Sequence, residues 1–206
     1  MKTVLNQPSV NFREKGSKFI GYLFPAPSVA SFEDELTQIK SKYPDATHHC
    51  YAWRMDPTNI EEFAQDDGEP SGTAGLPILN QLKSFDMVNA GCVVVRYYGG
   101  TNLGKSGLIQ AYGHAAQLCL EAAELATLIA TQNFEICYPY TAQSRIDKLK
   151  NRFDLKEITA EYLEEVTLEI ACRSEQADQF WEVLQNLKHR GIVADQLGSS
   201  FVTMQS

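Results

Sequence analysis

The sequence predicts an α+β protein of two domains, and three observations carry that expectation. The first residues alternate like a β-hairpin rather than a βα unit, only one long helix follows the most apolar strand, and the elements from Asn133 onward run β-α-β-β-α-β. That last order is a ferredoxin-like split βαβ unit. The domains are expected at residues 1–132 and 133–206, with the boundary in "ATQN" at 130–133.

Taken in order, "SVNFREKGSKFIGYLFPA" alternates apolar and polar residues on either side of Lys15-Gly16-Ser17, which suggests the opening hairpin. Ser31 is the expected N-cap of "SFEDELTQIKSKY", with Glu33, Asp34 and Glu35 in its first turn and Pro44 beyond its end. "THHCYAWRM" reads as a strand with His49, Tyr51 and Trp53 on one face and His48, Cys50 and Arg54 on the other. A polar loop, "EEFAQDDGEPSGTAG", leads to a short helix "LPILNQLKSF", then the strand "GCVVVRYY", a Gly-rich turn and a long helix ending near Ala123. In the second domain, Ile146, Leu149 and Phe153 mark the buried face of the first helix. The second helix has Ser174 as its expected N-cap, Phe180, Leu184 and Leu187 at core spacing, Lys188-His189-Arg190 in the last turn and Gly191 after it.

Composition narrows the function classes. With 44% apolar and 21% charged residues the chain can build an ordinary core, and a net charge of −8 disfavours strong binding to naked DNA or RNA. The N-terminus has no apolar h-region and no apolar run approaches membrane-spanning length, so a cytoplasmic protein without membrane attachment is expected. Cys50, Cys92, Cys119, Cys137 and Cys172 form no C-x-x-C pair and read as reduced, mostly buried thiols.

"GGTNLGKS", residues 99–106, matches the phosphate-cradling pattern G-x-x-x-x-G-K-[ST] between a strand and a helix. The surroundings oppose that reading. A P-loop needs several βα units winding a parallel sheet and a second apolar strand ending in aspartate, whereas this strand ends in Arg96-Tyr97-Tyr98 and is followed by one helix and a separate βαββαβ unit.

Four stretches together resemble the IMPACT family, in its bacterial YigZ branch. They are "EKGSKFIGYLFP" at 14–25, "ATHHCYAW" at 46–53, "QDDGEPSGTAG" at 65–75 and "GLPILNQLKSFDMVNAGCVVVRYYGGTNLG" at 75–104. The resemblance implies an N-terminal domain like domain 2 of ribosomal protein S5 and domain IV of elongation factor G, an α/β sandwich, followed by a ferredoxin-like domain. It also implies a role in translation regulation, as in eukaryotic relatives that compete for an activator of a stress kinase, and it implies no particular reaction. Lys105 and Ser106 stand where the family pattern has a small residue and a glycine, so the letters that complete the P-loop match are a departure from it.

The candidate binding face combines the carboxylates Asp66, Asp67 and Glu69 with Ser71, Thr73 and backbone amides at a helix start, and with Arg96, Tyr98, Gly99, Gly100, Gly104, Lys105 and Gly107. Two readings stay open: an anion pocket built from the amides, Arg96 and Lys105, and a structural turn in which Glu69 or Asp67 pairs with Arg96. No cofactor is expected. A metal site is disfavoured because His48 and His49 point to opposite faces of a strand, so that at most one joins Asp67 and the acidic loop. No catalytic residues are assigned. The expectation is a non-catalytic, translation-associated module binding a ribosomal, RNA-containing or protein partner. The alternatives are an enzyme acting on an anionic or phosphorylated small molecule and, third, a nucleotide binder.

Overall fold

The structure is a computed structural model that describes residues 1–204. The chain divides into two compact units, residues 1–127 and 128–204. Residues 130–133 lie inside one continuous strand, β7, Leu125–Tyr138.

In the first unit, β1 (Lys2–Val4) pairs with the first residues of β7, Val4 facing Leu125. The hairpin of β2 (Ser9–Glu14) and β3 (Ser17–Pro25) closes between Glu14 and Ser17, so the turn is the two residues Lys15 and Gly16. Both have positive φ, 45° and 83°, which is the backbone a right-twisted two-residue hairpin demands. Helix α1 spans Val29–Lys42 and is capped by Ser28, not Ser31. Ser28 is extended and its hydroxyl accepts from the Ser31 amide (3.2 Å), while Ser31 Oγ reciprocates at the Ser28 amide. Ser31 is thus the third helical residue of a capping box, and no acidic residue stands in the first turn.

Strand β4 (His48–Met55) alternates as expected, sending Cys50 and Ala52 to one core and packing Tyr51, Trp53 and Met55 against another. The segment read as the start of a polar loop forms an edge strand, β5 (Glu61–Gln65), paired with β4. Its largely exposed residues hide the strand signal because an edge strand needs little apolar patterning. Helix α2 (Gly75–Ser84), strand β6 (Ala90–Tyr97) and helix α3 (Gly104–Glu121) complete the unit.

The sheet order is β2-β3-β6-β4-β5, antiparallel at every pairing. On one face α2 and α3 bury Ile78, Leu82, Tyr112 and Ala115 with Phe19, Cys92 and Val94. On the other, Phe32, Leu36 and Ile39 of α1 meet Ile20, Phe24, Val93 and Val95. Strand β6 is central and covered on both sides, which explains its unbroken apolar run without a parallel sheet. The antiparallel setting removes the architecture that the P-loop reading requires.

The second unit runs β7, α4 (Gln143–Phe153), β8 (Lys156–Tyr162), β9 (Val166–Arg173), α5 (Ala177–Gln185) and β10 (Val193–Met204), with β9 and β10 both paired to β7. This is the expected βαββαβ order. Its core contains Phe134, Ile146, Phe153, Leu168 and Phe180. Ser174 opens a 3₁₀ turn ahead of α5 rather than capping it, and Lys188-His189-Arg190 form another 3₁₀ turn after it, stopped by Gly191 at φ 76°. All five cysteines are free, and only Cys137 is not buried. Among the described residues no helix is long and apolar enough to cross a membrane.

Candidate functional site

Three adjacent strands align the centre of the site. Arg96 on β6 stands opposite Phe19 on β3 and His48 on β4, so all three side chains share the sheet face covered by α2 and α3. The Arg96 guanidinium lies 5.5 Å from the centres of the Phe19 and Tyr98 rings. Its Nη1 donates to Glu69 Oε1 (2.5 Å) and its Nη2 to Ser17 Oγ (3.3 Å). Tyr112 of α3 donates to the same Glu69 oxygen (2.7 Å), and His48 Nε2 lies 3.8 Å from it. Glu69 and Arg96 are 8% and 5% exposed, so this is a buried charge pair completed by neutral donors. Burial drives the Tyr112 hydroxyl's pKa far up, with Cys50 and Glu69 adding to the effect, and so keeps it a donor.

The acidic loop is organised by its own carboxylates. Asp66 accepts from the amides of Gly72 (2.8 Å), Ala74 and Gly75 (both 2.9 Å). Burial pushes its pKa up, but these three bonds outweigh that and hold the carboxyl below its ordinary value. The amides expected to receive an external anion at the start of α2 are therefore occupied by Asp66, which acts at a distance as the cap that Ala74 lacks. Asp67, at φ 45°, accepts from the His49 amide (2.6 Å), and its carbonyl accepts from His48 Nδ1 (2.7 Å). A carbonyl can only accept, so the His48 proton sits on Nδ1. His49 Nδ1 lies 3.9 Å from the Asp67 carboxylate, and burial holds this imidazole's pKa down against the pull of Asp67.

Both histidines thus meet Asp67, one through its carbonyl and one through its carboxylate, contrary to the expectation that only one would reach the loop. The neighbouring strand positions still send the rings to opposite faces. Among the described residues no three His, Cys, Asp or Glu side chains are grouped to hold a metal.

The remaining expected residues divide. Thr73 is buried and its hydroxyl donates to the Pro70 carbonyl (2.6 Å), whereas Ser71 is exposed. Gly99 lets β6 leave the sheet against the hairpin turn: a Cβ there would sit 2.0 Å from the Gly16 carbonyl carbon, and its amide donates to Ser17 Oγ (3.2 Å). Gly100 and Gly104 have positive φ, 85° and 70°, and Gly107 packs against Leu103. The Tyr98 amide donates to Thr47 Oγ1 (3.0 Å) and its hydroxyl to Asn102 Oδ1 (3.2 Å), leaving the ring 47% exposed.

These elements surround a pocket of 540 Å³. Glu69, Arg96 and His48 line it together with Thr47, Tyr98, Asn102 and Lys105. Lys105, exposed in the first turn of α3, makes no ion pair among the described residues. Asp66, Asp67, Ser71 and Thr73 do not line the pocket; they hold the loop that supplies Glu69. Ser17, Thr47, Asn102 and Tyr112 also belong to the site and were not among the expected residues: the first three lie inside the stretches 14–25, 46–53 and 99–106, but nothing in those stretches marks these positions as the ones that reach Arg96, Tyr98 or Glu69. The alternation of β4 gave the one usable signal, since it placed His48 on the face of Cys50 and Ala52.

The Impact N-terminal domain family model matches residues 15–120. The protein described as IMPACT family member YigZ from Escherichia coli is 33% identical over 168 residues, 81% of this chain and 82% of its own. IMPACT family member YvyE from Bacillus subtilis is 32% identical over 173 residues, 83% of this chain and 79% of its own. A crystal structure of a hypothetical protein superposes with a TM-score of 0.64 at 28% identity, covering 95% of this chain and 96% of that one.

Proposed function

The chain belongs to the IMPACT family, and from that premise we propose a translation-associated binding protein that engages a ribosomal, RNA-containing or protein partner through the face around Arg96. One observation carries the preference for binding over catalysis. The carboxylates that an enzyme would need as base or metal ligand are already engaged: Asp66 by three amides, Asp67 by the His49 amide, and Glu69 by Arg96 and Tyr112. The groups left facing outward are Tyr98, Asn102 and Lys105, which suit contact with an anionic or planar partner surface.

The size of the pocket favours one alternative, an enzyme for an anionic or phosphorylated small molecule, with Arg96 or Lys105 as anion clamp. Arg96→Ala is a poor test of either reading, because it strands Glu69 in the core. Lys105→Glu changes an exposed side chain away from the buried pair, and Tyr98→Ala removes one ring beside Arg96 but keeps both charges paired. Cosedimentation with purified ribosomes is expected to fall with both variants. A wild type that never sediments would exclude the ribosomal partner, variants that sediment as well as the wild type would remove this face from ribosome binding, and turnover of generic phosphomonoesters by the wild type would favour the enzyme.

A further inference from the structure

The second unit has a cleft of its own, 390 Å³, between the first half of α4 and the second half of α5. One lip carries Thr141, Ser144, Arg145 and Lys148, all exposed. The floor is aliphatic: Leu149 with Val183 and Leu187. Neither Arg145 nor Lys148 makes an ion pair among the described residues, whereas Lys150 on the same helix is held by Glu157 (2.6 Å). Lys188 follows Leu187 directly and Arg190 two residues later, just before Gly191, and they too lack a carboxylate partner among the described residues. The charge is segregated. Residues 140–153 and 185–190 hold six Lys and Arg against the single acid Asp147, while residues 154–184 hold two Lys and Arg against nine Asp and Glu. Of these six, Arg145 and Lys148 line the cleft, and Lys188 and Arg190 follow the lining residue Leu187 in sequence.

We propose that this cleft docks an acidic peptide segment whose aliphatic side chains seat on Leu149, Val183 and Leu187 while its carboxylates meet Arg145, Lys148, Lys188 and Arg190. Charge complementarity sets the sign of the partner, and the floor sets its class. Nucleic acid held by a basic surface gains from aromatic platforms on which bases stack, and none of the lining residues is aromatic. An aliphatic floor between two helices instead suits an amphipathic segment laid in a groove. The proposal is independent of the face around Arg96.

The test uses the full chain and a fluorescein-labelled peptide of Leu-Glu-Glu-Leu repeats, read by fluorescence anisotropy. Comparison ligands are the same peptide with Ser for Leu, the same peptide with Lys for Glu, and single-stranded oligouridylate. Binding is expected for the Leu-Glu peptide alone, weakened about tenfold or more by Arg145→Glu with Lys148→Glu and weakened by added salt. Val183→Ser is expected to weaken the Leu-Glu peptide and leave the Ser-Glu peptide no better bound than before. Amide spectra of each variant confirm that the fold persists. The proposal is overturned if the Leu-Glu peptide fails to bind, if the charge reversals leave its affinity unchanged, or if oligouridylate binds as well.

Discussion

Removing the negative charge of Glu69 tests whether the centre of the pocket is a structural lock. In Glu69→Gln the amide oxygen can still accept from Tyr112, so the main loss is the carboxylate opposite Arg96, whose guanidinium is 6% exposed at the side chain. Removing one partner of a buried ion pair costs about 3–5 kcal/mol, because the remaining charge is stranded away from water. Replacing both partners with neutral groups avoids that penalty, so Glu69→Gln with Arg96→Met is expected to recover at least half of the loss. The chain has two tryptophans, and Trp53 lies in the first unit while Trp181 lies in the second. In a Trp181→Phe background, Trp53 fluorescence during urea unfolding therefore reports the unit that contains the pair. A single-variant loss below about 1 kcal/mol, the range of exposed ion pairs, or a double variant no more stable than the single would refute the lock.

Asp66 provides a pH test. Its carboxyl is held below the ordinary value in the folded chain, so it contributes stability above the unfolded carboxyl pKa of about 3.9 and loses it as pH falls through the folded value. Asp66→Asn is expected to be clearly less stable than wild type at neutral pH, with the gap narrowing in acid; a gap independent of pH down to acid unfolding would contradict the role of the charge. The turn after β6 provides a steric test. Gly99→Ala forces a Cβ into the hairpin backbone and is expected to cost about 2–3 kcal/mol, whereas Gly100→Ala meets open space and costs about 1 kcal/mol for its left-handed backbone. Equal thermal shifts for the two would show that the turn does not abut the hairpin.

Much of the fold was legible because local patterning carries it. The period of two in β4, the 3.6-residue spacing of Ile146, Leu149 and Phe153, and the element order of the second unit each follow from which residues must face a core. The misses have local causes. Strand β5 is an edge with an exposed face, Ser28 competed with Ser31 for the cap, and Ser174 entered a 3₁₀ turn instead of α5. At the site, the residue types were legible and a pairing of Arg96 with Glu69 or Asp67 was one of the two open readings; that Glu69 takes it, with Ser17 and Tyr112 joining, was not legible. Glu69, Arg96, Ser17 and Tyr112 meet across as many as 79 positions of sequence, and nothing local marks such a meeting.

Local patterning was enough to mark a glycine-permitted turn between the strand that ends at Tyr97 and the helix that opens at Gly104, because Gly99 and Gly100 interrupt both the apolar run before them and the helical spacing after them. Tertiary structure decided what the turn serves. The antiparallel sheet lacks the parallel βα setting of a P-loop, Asp66 takes the amides that looked free, and Glu69 takes the arginine. A buried donor or charge must find its partner in space, and the pairing that satisfies it depends on how distant strands and helices are brought together.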